Sequence, residues 1–474
     1  MQAGFLILSS VLAIYVAAYN VIALVMVAVA GWQLWRRRTG DPQAVLEIIE
    51  GSVLLPGITI VVPAYNEEAG ILRTVRSLVS ARYPDLEIIV VNDGSRDSTL
   101  ASLRASMGLQ PSARFQRASL PTAPVRAVYR SPQEPGLLVI DKRNGGKADA
   151  LNCGINFASR ELVCIIDADI VISPDALLHL VRPFLEDTTT VATSGTIRPL
   201  NGCQVDAKGR VTPGVSGKPL AVFQTLEYCR AFTLGRLFFN LGDAHLIISG
   251  AFGLFRRDLL VAVGGYQAYA IGEDMEIVVR THSYLRNLGQ PYRIVSVPEA
   301  VLYTEVPGSV QELGRQRTRW HQGLLTTIRL HRTLLFNPRY GYVGMFAFPY
   351  YLLFELLSPF SETLGWLLLP VLWALHLLTA NAVLPFFVAA TLLSTLVSIF
   401  ALLIDSLAFD HLSRFRHRLL LLAAAVVEPF GYHQLCLFFR LRAFPRFYGS
   451  VHFRSGWVPP TRAGATAAPD ARAT

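Results

Sequence analysis

Three apolar runs in this 474-residue chain end in acid. The first closes Val61-Val62-Pro63-Ala64-Tyr65-Asn66-Glu67-Glu68 and the second Val90-Val91-Asn92-Asp93-Gly94-Ser95. The third runs from Leu162 to Ile166 into Asp167-Ala168-Asp169. One acid after a strand is ordinary turn or cap chemistry; three along one sheet edge point to a site. Asp167 and Asp169 have only an alanine between them, so both can offer oxygen to a hard divalent cation, directly or through water. Mg²⁺ keeps several waters and is held by one or two carboxylates plus substrate phosphates. A diphosphate-bearing substrate is then the natural third party, with the cation offsetting charge that grows on a departing diphosphate.

Other motifs extend that chemistry. Asn144-Gly145-Gly146-Lys147 precedes a helical stretch, Ala148 to Phe157, and joins close backbone approach to a point charge suited to phosphate. A plain loop with a solvated lysine is the alternative. The chain lacks the P-loop pattern and has no G-x-G-x-x-G after a strand, which removes the main support for ATPase and dinucleotide readings. Gly272-Glu273-Asp274 stands before the helical Met275 to Tyr284, where Asp274 is either a helix cap or a general base with a raised pKa. Arg315, Arg317 and Arg319 alternate through Gln316-Arg317-Thr318-Arg319-Trp320. That segment reads as an interfacial amphipathic helix or as an anion site beside an aromatic platform.

Positioning carboxylates at strand ends calls for an open α/β sheet, whose ligands bind beyond the carboxyl ends of its strands. From about Pro56 to Pro307 short apolar strands alternate with amphipathic helices, which predicts a mainly parallel sheet covered on both faces. The rest of the chain has a different texture. Composition is 52% hydrophobic and 16% charged, with a mean hydropathy of +0.39, too apolar for an ordinary soluble protein and too ordered for a disordered one. The first 35 residues carry no charge and run into Arg36-Arg37-Arg38, which predicts an uncleaved transmembrane anchor, one long helix in preference to two, with the following domain in the cytoplasm. Thr363 to Ile404 holds no charge in 42 positions, enough for two crossings, and Leu419 to Phe439 is a third apolar run interrupted by Glu428-Pro429. Gly341 to Leu357 reads as a further crossing or a re-entrant piece. Four crossings return the C-terminus to the cytoplasm, whereas three satisfy Arg414, Arg416 and Arg418 under the charge rule.

The net charge of +9 belongs to this membrane half: from Gln311 onward 15 basic residues stand against 7 acidic ones. Anionic lipid explains such placement better than nucleic acid, which is excluded as a partner. Five scattered cysteines, an odd number without a C-x-x-C pair, indicate neither a disulfide framework nor a zinc cage.

The order V-P-A-Y-N-E, N-D-G-S, G-G-K-A-x-A-L-N, D-A-D, G-E-D and Q-R-x-R-W resembles the membrane-embedded family-2 glycosyltransferases, including poly-N-acetylglucosamine, hyaluronan and cellulose synthases. The resemblance covers about Pro56 to Arg332 by motif and the remainder by layout. It implies a GT-A nucleotide-diphosphosugar domain over 56–307, an anchor over 1–35, interfacial helices over 308–340, transmembrane helices over 341–440 and a tail over 441–474. It further implies that Tyr65, Glu67, Asp93, Lys147, Asp167, Gln316, Arg317 and Arg319 bind the donor and that Asp167 and Asp169 bind Mg²⁺ or Mn²⁺. Asp274, next to Glu273, would deprotonate the acceptor hydroxyl, and Trp320 would stack on the acceptor sugar. Trp457 and Arg462 loosely match a gating loop. The activity implied is processive, inverting transfer from a UDP-sugar, UDP-N-acetylglucosamine by preference, to a polysaccharide extruded through the cell membrane. Accessory membrane subunits of an export system are a further partner class. Rival readings are a non-processive enzyme adding one sugar to a lipid acceptor, and a non-catalytic transport or structural subunit. The stretch from Leu103 to Gly136 is longer than the sheet needs and has no function in this reading.

Overall fold

Alternate residues of the central strands feed two different cores, which is why those strands read as largely apolar runs. In a computed structural model describing residues 2–37, 42–117, 119–206, 209–375, 380–409 and 415–445, strand β1 spans Ile58–Ala64 and β2 Leu86–Asn92. Ile60, Val62, Ile88 and Val90 pack on one face under the helices Ile71–Val79 and Ala176–Glu186, whereas Val61, Ile89 and Val91 pack on the other under Lys147–Phe157.

The remaining strands are β3 Gln110–Pro111, β4 Val125–Arg130, β5 Leu137–Lys142, β6 Leu162–Ile165, β7 Ile170–Ile172, β8 Thr190–Pro199, β9 Gln204–Val205, β10 Val211–Thr212, β11 Gly253–Arg256 and β12 Arg293–Thr304. Ten of them form one sheet in the order β3-β4-β5-β2-β1-β6-β11-β8-β12-β7, and β9 and β10 pair separately. The parallel block β5-β2-β1-β6 lies at the centre of the sequence motifs. Strands β4, β7 and β11 run against the rest, so the sheet is mixed but mostly of one direction. The stretch Leu103 to Gly136, longer than the sheet needs, supplies the edge strands β3 and β4.

Helix Lys147–Phe157 approaches β1 closely at Gly154, where an added Cβ would lie 2.2 Å from a methyl carbon of Val61. Gly154→Ala is expected to destabilise the domain by about 1–3 kcal/mol through overpacking; a chemical denaturation midpoint equal to that of the parent would refute it.

A third core is built from apolar helices at both ends of the chain. Ala30 in helix Gln2–Arg37 and Ala401 in helix Ala380–Phe409 are fully buried in it, with Leu226, Leu237, Val343 and Ala425. The N-terminal run is one helix, as its uninterrupted apolar sequence predicts. Within it Ile7–Arg36 is long and apolar enough to cross a membrane. Val343–Leu356 with Ser358–Ala374 bends by 43°, and Phe415–Val427 with Tyr432–Pro445 by 60°; among the described residues there is therefore one such span, or up to three if each bent pair is one. The second break falls at Glu428-Pro429, because proline cannot donate within a helix and Gly431 takes a φ of +119°. Thr391–Leu407 is a shorter apolar helix. Trp457 and Arg462, the gating-loop candidates, lie outside the described residues.

Candidate active site

The turns after β1 and β2 are tied to each other before they meet anything else. Asn66, held at a φ of +55°, receives a hydrogen bond from the Arg96 N–H at 2.9 Å and donates its own backbone N–H to Ser95 at 3.0 Å. The Glu67 backbone N–H donates to Thr99 Oγ1 at 2.8 Å, and its side chain is only 3% exposed. Tyr65 and Glu67 thereby face the cavity beyond the strand ends.

Asp93 is also tied into the fold. Its Oδ1 accepts from the fully buried Lys142 Nζ at 2.6 Å and from the Gly145 N–H at 2.9 Å, and its Oδ2 accepts from the Gly146 N–H at 2.8 Å. With both oxygens engaged inside the protein, the carboxylate moulds the Gly145-Gly146 turn and only edges the cavity. That turn delivers Lys147 to the N-terminus of its helix, with Gly146 at a φ of +91°.

Lys147 is the hub of the acidic group. Its Nζ lies 2.7 Å from Asp167 Oδ1 and 3.6 Å from Glu273 Oε1. Burial works against its charge, but Asp167 and Glu273 prevail and hold its pKa well above the ordinary lysine value. Glu273 and Asp274 occupy the first turn of helix Glu273–Asn287, whose cap is Gly272 at a φ of +80°, so Asp274 is not the cap. Asp274 Oδ2 accepts from the Gly250 N–H at 3.1 Å and Oδ1 from the Met275 N–H at 2.9 Å. Burial and the neighbouring Glu273 nevertheless raise its pKa above the usual aspartate value, against the lowering effect of Lys147 and the two N–H groups. A carboxyl so tuned is suited to take a proton.

The Q-R-x-R-W segment lies in a 21-residue helix, Val310–Leu330, started by Ser309 accepting from the Glu312 N–H at 3.3 Å. Gly323 lets this helix touch the acidic turn: an added Cβ would meet the Ile271 carbonyl oxygen at 2.9 Å and Gly272 Cα at 3.1 Å. Helical spacing puts Arg315 and Arg319 on one exposed face beside Trp320, which is 45% exposed. Arg317 turns the other way. It is 4% exposed, its Nη2 bonds Glu227 Oε2 at 2.7 Å, and its guanidinium lies 4.3 Å from the Trp320 ring centroid. Arg317 thus makes an internal ion pair at the edge of the cavity, because its face of the helix is the packed one.

Every sequence-derived candidate within the described residues lines one cavity of about 1810 Å³: Tyr65, Glu67, Asp93, Lys147, Asp167, Asp169, Glu273, Asp274, Gln316, Arg317, Arg319 and Trp320. The residues that sequence reasoning missed are Glu227, Tyr432 and the Gly250 N–H. The first two are single polar groups in apolar runs, a faint signal, and a backbone N–H carries none. For a divalent cation, Asp167 and Asp169 fit as a pair of hard oxygen donors to be completed by substrate phosphates. Among the described residues no group of three or more His, Cys, Asp or Glu could form a protein-only cage.

A mixed, mostly parallel sheet that gathers these carboxylates at its strand ends defines a GT-A glycosyltransferase fold. The family described as Glycosyltransferase like family 2 matches residues 56–323, and the chain belongs to it. Particular relatives are the poly-beta-1,6-N-acetyl-D-glucosamine synthases of Staphylococcus aureus (strain COL), 30% identical over 270 residues, and of Staphylococcus epidermidis, 30% identical over 268. The matches cover 57% and 56% of this chain, and the chain spans about half the length of these curated relatives, 55% and 54%. Among solved structures, a mannosyltransferase from Pyrobaculum calidifontis in complex with GDP-Man and Mn²⁺ shares the fold, with a TM-score of 0.50 at 19% identity over 88% of this chain and 99% of that one.

Proposed function

We propose that the protein is a membrane-embedded, processive, inverting glycosyltransferase that transfers N-acetylglucosamine from UDP-N-acetylglucosamine to a growing polysaccharide and passes the product across the cell membrane. The observation that carries this reading is the extent of the cavity. Its volume of about 1810 Å³ exceeds the roughly 300–1,000 Å³ of an ordinary small-molecule pocket. From the carboxylates it continues to Tyr15, Tyr19 and Asn20 of the N-terminal helix and to Glu362 and Trp366 of Ser358–Ala374. Hydroxyl and aromatic groups set among apolar helices suit a sugar chain, whose C–H faces pack on rings. The choice of sugar rests on the relatives' names.

In the proposed mechanism Asp274 accepts the proton of the acceptor hydroxyl. The acceptor oxygen then attacks the anomeric carbon as its bond to the diphosphate breaks, with inversion. One carboxylate base suffices because the nucleotide diphosphate is already a good leaving group, whereas glycosidases need two. Tyr65 and Glu67 border the nucleoside, Lys147, Arg315 and Arg319 neutralise the departing diphosphate while Gln316 donates a hydrogen bond to it, and Trp320 orients the acceptor. Mg²⁺ or Mn²⁺, held by Asp167 and Asp169, would supply further charge stabilisation when bound. In this reading residues 56–307 are the catalytic domain, on the cytoplasmic side by the Arg36-Arg37-Arg38 rule, residues 308–340 lie at the membrane surface, and 1–35 and 341–440 lie in the membrane.

Lys147→Met removes the cation that, among the described residues, touches both Asp167 and Glu273, and UDP affinity is expected to fall by at least about tenfold in calorimetric titration; unchanged affinity would refute the lysine's place at the donor. For the whole proposal, isolated membranes are supplied with a panel of labelled UDP-sugars and the products sized and digested. A long N-acetylglucosamine polymer is the expected result. A single sugar on lipid would favour the non-processive alternative, and no incorporation from any donor would reject both.

A further inference from the structure

We propose that Glu227 and Tyr432 are positioning residues that fix the orientation of Trp320 through Arg317, and so tie the acceptor platform to the bent C-terminal helix pair. This rests on the reading of Trp320 as the acceptor platform.

Arg317, Glu227 and Tyr432 form a closed knot from three separate segments. Arg317 Nη2 donates to Glu227 Oε2 at 2.7 Å, the Tyr432 hydroxyl donates to the same oxygen at 2.7 Å, and Arg317 lies over the indole of Trp320. A planar guanidinium held by a carboxylate cannot swing, so its flat face sets the plane against which the ring rests. Trp320, 45% exposed, gains definition from that contact. Tyr432 is itself fixed by stacking on Phe223, with centroids 5.1 Å apart. Its helix, Tyr432–Leu441, is clamped to the motif helix where Thr318 donates to the Phe439 carbonyl at 3.1 Å.

The placement of Glu227 adds a second observation. Arg230, one turn further along the same continuous helical segment, pairs with Glu428. Glu428 and Tyr432 flank the 60° break in the C-terminal pair. One helical face therefore grips both sides of that break, and a movement there reaches Trp320 through Glu227 and Arg317.

The test uses Glu227→Gln and Tyr432→Phe, which keep side-chain shape, in full-length protein. The contribution of Trp320 to fluorescence is taken as the difference between each protein and its Trp320→Phe counterpart. Acrylamide quenching of that contribution is expected to rise at least about twofold in both variants, because the ring loses its fixed neighbour. With a short oligosaccharide acceptor, the acceptor KM is expected to rise about tenfold while the UDP dissociation constant stays within twofold. In a double-mutant cycle, Glu227→Gln adds nothing to Trp320→Phe. Unchanged quenching, or additive effects on acceptor KM, overturns the proposal. If the parent transfers no sugar yet quenching changes as expected, the proposed function fails and the positioning role stands.

Discussion

Asp274→Asn is expected to lower sugar transfer by about 10²–10⁴-fold, the range for removal of a general base, with UDP binding retained. Asparagine is nearly isosteric, and its one carboxamide oxygen can still accept from one of the Gly250 and Met275 N–H groups that hold the two aspartate oxygens at 3.1 and 2.9 Å. What it cannot do is receive a proton. The parent enzyme should also show activity rising with pH through an acid limb displaced above the ordinary carboxylate range, because burial and Glu273 raise the Asp274 pKa. Stability moves the other way. Between the unfolded aspartate value of about 3.9 and the raised folded value, the native state binds the proton more tightly, so this residue's contribution is present below the window and lost as pH rises through it. Steady-state assays and a pH–rate profile of parent and variant check both statements; unchanged turnover in the asparagine variant would remove Asp274 from the chemistry.

The largest expected loss of stability belongs to Asp405→Ala. Asp405, 4% exposed in helix Ala380–Phe409, receives two hydrogen bonds from Arg198 at 2.7 and 3.1 Å and one from Thr233 at 3.2 Å. Arg198 lies on β8, so the bidentate pair fastens an apolar helix to the sheet. Removing one partner of a buried pair costs about 3–5 kcal/mol, since the remaining charge keeps its desolvation and loses its counterion. Asp405→Asn, which keeps an acceptor, should lose less. Thermal unfolding in detergent or nanodiscs, followed at both tryptophan and far-ultraviolet signals, will show the difference; equal midpoints for parent and alanine variant would contradict it.

Much of the site was legible before any tertiary contact was known. A mainly apolar run such as Ile58 to Val62, broken only by Thr59, reads as a strand covered on both sides, and its carboxyl end then presents Tyr65 and Glu67 to the crevice. The same local logic placed Lys147 at a helix start and Asp167 and Asp169 at the end of β6. It did not reveal the internal partners of Arg317 and Asp93, whose type and spacing suit phosphate or base recognition. Which face of a helix is packed, and which backbone N–H groups a loop turns inward, are decided by neighbours remote in sequence.

The acids of the apolar half show that division most plainly. Glu355, Glu362, Asp405 and Glu428 can be found by inspection. Their partners cannot. Asp405 meets Arg198 across 207 residues and Glu428 meets Arg230 across 198, while Glu362 pairs with His433 at 2.6 Å and Glu355 with Arg440 at 3.6 Å. Sequence by itself determined the strands, the acidic edge and the apolar lengths, because these follow from short-range periodicity and residue chemistry. The tertiary structure decided which charges neutralise one another and which remain for a substrate, because a buried charge takes the partner that packing brings within reach.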